Sequence, residues 1–348
     1  MTPADTLGVS VVIVTHNSAG IVEPVLDALF ADQVQPDEII VVDSASEDGT
    51  LDLLARYAVK VIACENNVGF AAGCHLGASA AGNDTLMFLG HDTRPTPGWL
   101  APMVAALEEP GVGAAMCTVE DSTHPGTFNT SGGALTYFGI AWVSDLGRPI
   151  PVETELIDIA FPQGGAMAIR RTVWDRFGGF RPEFFMYNED VDLGWRLRLA
   201  GLRVVRVPDS LVSHDYDFGR SPRKMYHLER NRWLMLRSNY RRRTLAVLSP
   251  ALFLVEVGTT IVSIRDNWWD DKRAAWRDAA ASSDVIRRGR RLAEANRVVG
   301  DAALMKTMDF RLSDITQVQT PLLTKFADIL LGAWKTIATP IVRILDRF

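Results

Sequence analysis

Val9–Thr15, VSVVIVT, is the stretch whose reading decides the fold. A run this short and this apolar keeps no polar face for water, so it reads as a strand covered on both sides, the kind that parallel sheets use. Glu38–Asp43, EIIVVD, repeats the pattern, and Ala19–Phe30 between them carries Ile21, Val25, Leu26 and Leu29 at helical spacing. Further out, the sequence predicts a helix over Leu51–Tyr57 and a strand over Val59–Ala63. A Gly/Ala-rich helix over Phe70–Ala81 and a strand over Thr85–Leu89 follow. Repeated β-α-β units need right-handed crossovers, which predicts an α/β, doubly wound, mostly parallel sheet. The stretch from about Val119 to Asp158 is rich in Gly, Thr and Pro and predicts strands and loops covering a site.

The 348 residues, 47% hydrophobic and 22% charged, suffice for one large catalytic domain plus an appendage. Residues 1–240 are expected to form the first, and residues 241–348 a helical region that associates with membrane or oligomerises. The net charge of -6 hides a polarity, because the first basic residue is Arg56 while Arg241, Arg242, Arg243, Arg287, Arg288, Arg290 and Arg291 crowd the later part. A net-acidic chain of this kind excludes a global nucleic-acid partner. Three cysteines without C-x-x-C spacing support neither a disulfide framework nor a zinc knuckle, and no basic flank precedes the first strand. Both point to a cytoplasmic setting.

Ligands of doubly wound sheets sit beyond the carboxyl ends of the strands, where Thr15, His16, Asn17, Asp43 and Asp92 fall. Asp43 either caps the next helix with Asp48-Gly49-Thr50 or accepts hydrogen bonds from a nucleotide, and its position favours the second. Asn67 and Gly69, in NNVGFAAG, sit where a helix starts and where backbone or diphosphate needs close approach; tight helix-sheet packing asks for the same small residues. Alone, Asp92 reads as an Asx turn into Pro95. Among other acids it reads as a hard oxygen ligand for Mg²⁺ or Mn²⁺ against a diphosphate. Glu189, Asp190 and Asp192 open a helix, which suits the helix dipole, but three acids in four positions exceed what a cap needs. Behind Phe184-Phe185-Met186-Tyr187, such a carboxylate has its pKa raised enough to take a proton from a sugar hydroxyl. His214 follows the strand-like Arg203–Val207 and the turn Pro208-Asp209. A lone histidine is mostly structural; here it also makes sense as a nitrogen ligand beside Asp92. Arg220, Arg223, Lys224, Arg230 and Arg232 form either a solvated face or the neutralising charge for a departing diphosphate.

Thr244–Ile264 is almost wholly apolar and near the length that spans a bilayer, though Pro250 and Glu256 interrupt it. Asp270–Arg297 reads as a charged helical segment. Leu322, Leu323, Phe326, Ile329, Leu330, Ile337, Ile341, Ile344 and Leu345 predict an amphipathic final helix, kinked before Pro340. With nearby arginines this favours peripheral binding to the inner face of the cell membrane over a span. A buried hairpin or a homo-oligomer contact are the alternatives.

Together VSVVIVTHN, EIIVVDSASEDGT, NNVGFAAG, FLGHDTRP, QGGAMAIRRTVW, GGFRPEFFMYNEDVDLGWRLRLAG and HLERNR resemble the inverting glycosyltransferase family 2 of the GT-A fold. Its bacterial rhamnosyltransferase-like members match best, over about Val9 to Tyr240. The resemblance implies a nucleotide-diphosphate sugar donor (UDP- or dTDP-linked) contacted by Thr15, Asn17 and Asp43. It implies a metal motif at His91-Asp92-Thr93 with Asp92 as its carboxylate, His214 as a metal or diphosphate contact, and Asp190 of the Glu189-Asp190 pair as base. A glycan or polyprenyl-linked acceptor in cell-envelope polysaccharide synthesis follows by inference. Where relatives often carry Asn, this chain has Cys74-His75, and FRPEFF lacks the usual Asp after Phe180. A sugar-nucleotide pyrophosphorylase would carry a G-x-G-T-R-like loop where THNSAG stands. A non-catalytic nucleotide-sugar-binding scaffold is the other class; turnover separates the three.

Overall fold

The computed structural model describes residues 8–214, 223–313 and 321–347. Its elements cluster into two compact units. The first is residues 1–133, 143–197 and 202–220; the second is 134–142, 198–201 and 221–348.

The first unit opens with β1 (Val9–Thr15), α1 (Glu23–Ala31), β2 (Glu38–Asp43), α2 (Thr50–Leu54), β3 (Lys60–Ala63), α3 (Gly69–Ala80) and β4 (Thr85–Gly90). Short β5 (Thr93–Pro95), α4 (Leu100–Glu108), β6 (Val112–Asp121) and β7 (Phe128–Thr130) follow. Then come β10 (Ile157–Asp158), β11 (Ala166–Arg170), α5 (Arg171–Phe177), α6 (Glu189–Leu199) and β12 (Arg203–His214), whereas the small hairpin β8 (Gly133–Leu135) and β9 (Ala141–Val143) that precedes them in sequence falls mostly in the second unit. The described strands of the main sheet run β10-β12-β6-β11-β4-β1-β2-β3, with β5 on β12 and β7 on β6. As the apolar runs predict, β3, β2, β1 and β4 are parallel, and every residue of β1 is buried. β11 enters antiparallel between β4 and β6.

Helix α3 lies directly on β1. A Cβ on Gly77 would stand 2.2 Å from a Val12 methyl, and one on Gly73 2.7 Å from Val14, so these two small residues serve packing. Phe88, Trp174 and Phe180 are buried with ring centroids 4.5–5.5 Å apart, joining the sheet to α5 and the loop before α6. Pro208 and Asp209, expected in a turn, lie inside β12. A register shift between Val207 and Leu211 absorbs the proline's missing N–H while pairing with β6 resumes as far as His214.

The second unit holds α7 (Lys224–Asn239), α8 (Arg242–Arg265), α9 (Trp269–Ala281), α10 (Ser283–Ala295), α11 (Asp301–Thr307) and α12 (Pro321–Leu345). The charged segment expected over 270–297 is thus two helices, parted at Ser282. Helix α8 runs through Pro250, whose position is exposed, and through Glu256. Glu256 is tolerated because Trp276 Nε1 donates to it at 2.9 Å and Arg232 and Lys272 pair with it. Lys272 and Arg232 also share Glu229, at 2.8 and 2.9 Å, so two buried cations meet two acids.

Candidate active site

Parallel strands end together, and the loops after β1 and β2 are stitched to each other. Thr15 Oγ1 donates to Asp43 Oδ1 at 3.0 Å, and Ser46 donates to the same carboxylate through its N–H at 2.9 Å and its hydroxyl at 2.5 Å. Asn17, left-handed at φ 50°, donates its N–H to Ser46 Oγ and accepts from Glu47 N–H, both at 2.8 Å. His16 Nδ1 meets the Ser44 carbonyl at 2.8 Å, and the Asp48 carboxylate accepts from Ala19 N–H at 3.1 Å. Asn67 Oδ1 accepts from Ser44 Oγ and Gly69 N–H, each at 3.0 Å. Asp43 is buried, whereas His16, Asn17 and Asn67 are exposed along the rim of this polar floor.

Asp92 follows β4. His214, at the end of β12, brings Nε2 to 3.4 Å from Asp92 Oδ1, and its Nδ1 is 3.2 Å from Asn129 Oδ1. Burial by itself would raise the Asp92 carboxyl, but the hydrogen bond and charge of His214, with His91 alongside, hold it down at about 2. Among the described residues no group of three or more His, Cys, Asp or Glu forms a cluster fit for a metal ion. One ionised carboxylate and one imidazole fit a divalent cation that takes its other ligands from phosphate oxygens and water.

The three acids at the start of α6 part company. Asp192 points inward to Arg196 Nε at 2.9 Å and Arg181 Nη1 at 3.4 Å, all three buried. Arg196 continues to the carbonyls of Phe177 and, at 2.7 Å, Gly179. Asp192 is therefore part of the framework. Glu189 is buried and its Oε2 has no hydrogen-bond partner among the described residues. Desolvation and the neighbouring Asp190 charge push its carboxyl well up. Asp190 is half-buried and accepts from Gly164 N–H at 3.0 Å. Desolvation raises it to about 6 against the hydrogen bonds from the Gly164 and Val191 N–H groups. A carboxylate near neutrality is suited to general-base work.

Backbone strain marks the same place. Phe185, Tyr187 and Asn188, none of them glycine, take φ of 64°, 67° and 63° immediately before α6. The Phe185 carbonyl accepts from Ala71 N–H at 3.0 Å, and a Cβ on Gly69 would stand 2.6 Å from that carbonyl oxygen. Gly69 thus lets the first turn of α3 close on the loop that carries the acids.

Gly164 and Gly165 tie the two acidic centres together. Beside the Gly164 bond to Asp190, the Gly165 carbonyl accepts from Gly90 N–H at 2.8 Å, and a Cβ on Gly90 would meet Asp92 Oδ1 at 2.9 Å. The expected site residues of the first unit thus fall into two bonded groups, one of Thr15, Asn17, Asp43 and Asn67, the other of Asp92 with His214 and, through Gly90, Gly165 and Gly164, Asp190. Arg230 belongs to the second unit, on α7, where it donates to Asn231 Oδ1 at 3.1 Å; Arg220 lies outside the described residues. Sequence reasoning did not single out Ser44, Ser46, Asn129 or the Gly164-Gly165 pair as parts of the site. Only the glycine pair before a strand carries a signal that could have revealed it.

Residues 10–178 match the family described as Glycosyl transferase family 2. Over 239 residues the chain is 28% identical to the N-acetylglucosaminyl-diphospho-decaprenol L-rhamnosyltransferase of Mycobacterium tuberculosis, covering 61% of this chain and 78% of that protein. It is 29% identical over 215 residues to the pre-mycofactocin glycosyltransferase of the same organism, covering 60% of this chain and 43% of that one. Among solved structures, GalNAc-T7 with UDP, GalNAc and Mn²⁺ aligns at TM-score 0.56 and 18% identity, over 72% of this chain and 51% of that chain. S. aureus TarS 1–349 in complex with UDP-GlcNAc aligns at TM-score 0.53 and 16% identity, over 87% and 93%. At such identities the two structures speak to the fold alone.

Proposed function

From the premise that this chain is a glycosyltransferase carrying a family 2 domain on a GT-A fold, we propose that it inverts the anomeric centre as it moves a sugar from a nucleotide diphosphate to an acceptor hydroxyl. The observation that carries the proposal is Asp190, a carboxylate raised to about 6 and joined through Gly164, Gly165 and Gly90 to the ionised Asp92. Asp190 takes the hydroxyl proton, the oxygen lone pair forms the new bond to the anomeric carbon, and the bond to the diphosphate breaks with its electrons leaving on the phosphate oxygen. Glu189, buried and held neutral, keeps a second negative charge away from Asp190. Thr15, His16, Asn17, Asp43, Asn67 and Gly69 form the donor floor. Asp92 and His214 are the residues that would hold Mg²⁺ or Mn²⁺, whose chemistry when bound is to neutralise charge on the leaving group.

A UDP- or dTDP-sugar donor and a glycan or polyprenyl-linked acceptor fit the rhamnosyltransferase relative, which acts on a lipid diphosphate by its name. Asp190→Asn tests the reading: transfer falls below detection while nucleotide binding, followed by thermal shift, persists. Full activity in that variant, or a product of retained configuration by NMR, removes the assignment.

The apolar faces of the second unit support a peripheral seat on the inner membrane surface. Helix α12 buries Thr324, Asp328, Leu331, Ala338 and Val342 and turns Phe326, Ile329, Ile337, Ile341 and Ile344 outward, with exposed Lys325, Arg343 and Arg347 along it. Helix α8 exposes Phe253, Val257, Ile261 and Ile264 and is by length and composition a candidate span, yet its other side holds Glu256 in the charge cluster with Arg232 and Lys272. A face that is apolar outward and basic at its margins suits anionic lipid. Flotation with anionic vesicles should carry the wild type and not a Phe253→Glu/Ile329→Glu variant. A wild type that stays at the bottom and sediments as a dimer would replace lipid with a second copy.

A further inference from the structure

Four arginines of the second unit surround one cavity of about 370 Å³: Arg237 from α7, Arg242 at the start of α8, and Arg287 and Arg290 from α10. None belongs to the donor or metal site described above. Leu245 and Ile286 supply apolar wall, and Ser283 a hydroxyl.

The charges of this cluster are poorly compensated. Arg237 donates to the Ala279 carbonyl at 3.2 Å, and Arg290 to the Arg237 carbonyl at 2.6 Å, so both guanidinium groups are fixed by neutral acceptors. Arg290 Nε is buried with no partner among the described residues. Arg287 pairs with Asp284 on the exposed face of α10. Glu294, the other acid nearby, is committed to Arg297 at 2.9 Å and Arg241 at 3.5 Å. Desolvation and the like charges of Arg242 and Arg237 lower the Arg290 pKa, the mark of cations pressed together.

Helix α8 adds a second oddity. Arg241, Arg242 and Arg243 stand at its N-terminal end, with no acid in the first turn and no side-chain cap. Cations there oppose the helix dipole, and a bound anion would reverse the sign of that contribution.

We propose that this cavity is a binding site for a phosphate or diphosphate group, separate from the donor site and gripped by charge-assisted hydrogen bonds from Arg237, Arg242 and Arg290. Fixed, planar guanidinium forks match phosphate oxygens in pairs, and the volume accommodates a diphosphate with part of whatever it is attached to. Such a group comes either from a lipid headgroup or from a soluble phosphate. Because Phe253 and Ile261 lie further along α8, a lipid source would bring phosphate and acyl chains to one helix.

The test uses the full chain, with inorganic pyrophosphate titrated calorimetrically while the donor site is saturated with a nucleoside diphosphate. Wild type should bind one further equivalent. Arg242→Gln/Arg290→Gln should bind it at least about tenfold more weakly, and Arg290→Lys should retain part of the affinity. The single variant Arg242→Gln should also weaken binding. Vesicles containing phosphatidic acid, set against phosphatidylcholine alone, identify the source: retention of wild type and loss of the double variant assign a lipid headgroup, and pyrophosphate binding without that difference assigns a soluble phosphate. No further equivalent in the wild type, or equal affinity in wild type and Arg242→Gln, overturns the proposal.

Discussion

Replacing Asp192 with Asn should cost the fold more than replacing either neighbouring acid, although all three stand within one turn of α6. The substitution keeps the shape of the side chain and removes only the charge that compensates Arg196 and Arg181, both buried. Breaking a buried ion pair from one side costs about 3–5 kcal/mol, because a charge is left uncompensated out of water. Arg196 keeps the Phe177 and Gly179 carbonyls, and Arg181 keeps the Phe184 ring 4.9 Å from its Cζ, which places the loss near the lower bound, about 3 kcal/mol. With a urea m-value of about 3 kcal/mol per molar, the midpoint falls by about 1 M. Asp190→Asn has the opposite sign. A carboxyl raised in the folded state contributes stability that is full below its unfolded value, near 4, and is lost as pH rises through about 6, so at pH 7 its charge is a burden that the amide removes. Urea unfolding at pH 7, followed by circular dichroism, compares the two variants with wild type. If Asp192→Asn unfolds at the wild-type midpoint, the division of these acids into framework and chemistry is wrong.

The raised Asp190 carboxyl predicts that kcat/KM of the wild type rises with pH on an acidic limb near 6; a flat profile from pH 5 to 8 would deny it the role of base. Gly69→Ala adds a Cβ 2.6 Å from the Phe185 carbonyl oxygen at a φ of 77°. It should therefore lose about 2–3 kcal/mol in thermal or urea unfolding and depress turnover through the displaced loop; wild-type values in both would dismiss the close approach. Chelation should abolish transfer and Mn²⁺ restore it, with His214→Ala needing roughly tenfold more metal in a titration of initial rates, whereas EDTA-insensitive turnover would leave Asp92 and His214 without that task.

The difference between these acids explains how far the sequence could be read. Unbroken β-branched runs leave one option, burial on both faces, so β1, β2 and β4 and the polar residues at their tips were legible from local pattern. The direction of β11 was not, because a strand of five residues pairs equally well either way until β4 and β6 are placed beside it. In the same manner, spacing put Glu189, Asp190 and Asp192 on the first turn of a helix and could not tell which faced a cation. Arg196 four residues on was a visible partner for Asp192, but the loop before α6 is what brings Arg181 to Asp192 and the carbonyls of Phe177 and Gly179 to Arg196.

Helix α12 carries the same lesson in reverse. Periodicity identifies an apolar stripe on an amphipathic helix without saying which way the stripe faces, and the ordinary expectation is inward. Here Thr324, Asp328, Leu331, Ala338 and Val342 are the buried side, and Phe326, Ile329, Ile337 and Ile344 meet solvent. Asp328 explains the inversion, since its carboxylate accepts from the Leu312 and Ser313 N–H groups, at 2.5 and 3.2 Å, and is satisfied only when turned inward. Glu256 fixes α8 by the same logic, tying one side to Arg232, Lys272 and Trp276 and leaving Phe253, Ile261 and Ile264 outside. In both helices an inward-turned acid sets the orientation, and the exposed apolar surface is its consequence. Removing the acid should therefore release the face: Glu256→Leu should weaken retention on anionic vesicles even though it makes α8 more apolar, because the helix loses what holds its outward side outward. A Glu256→Leu variant that binds vesicles as the wild type does would show that apolar content, and not orientation, governs the attachment.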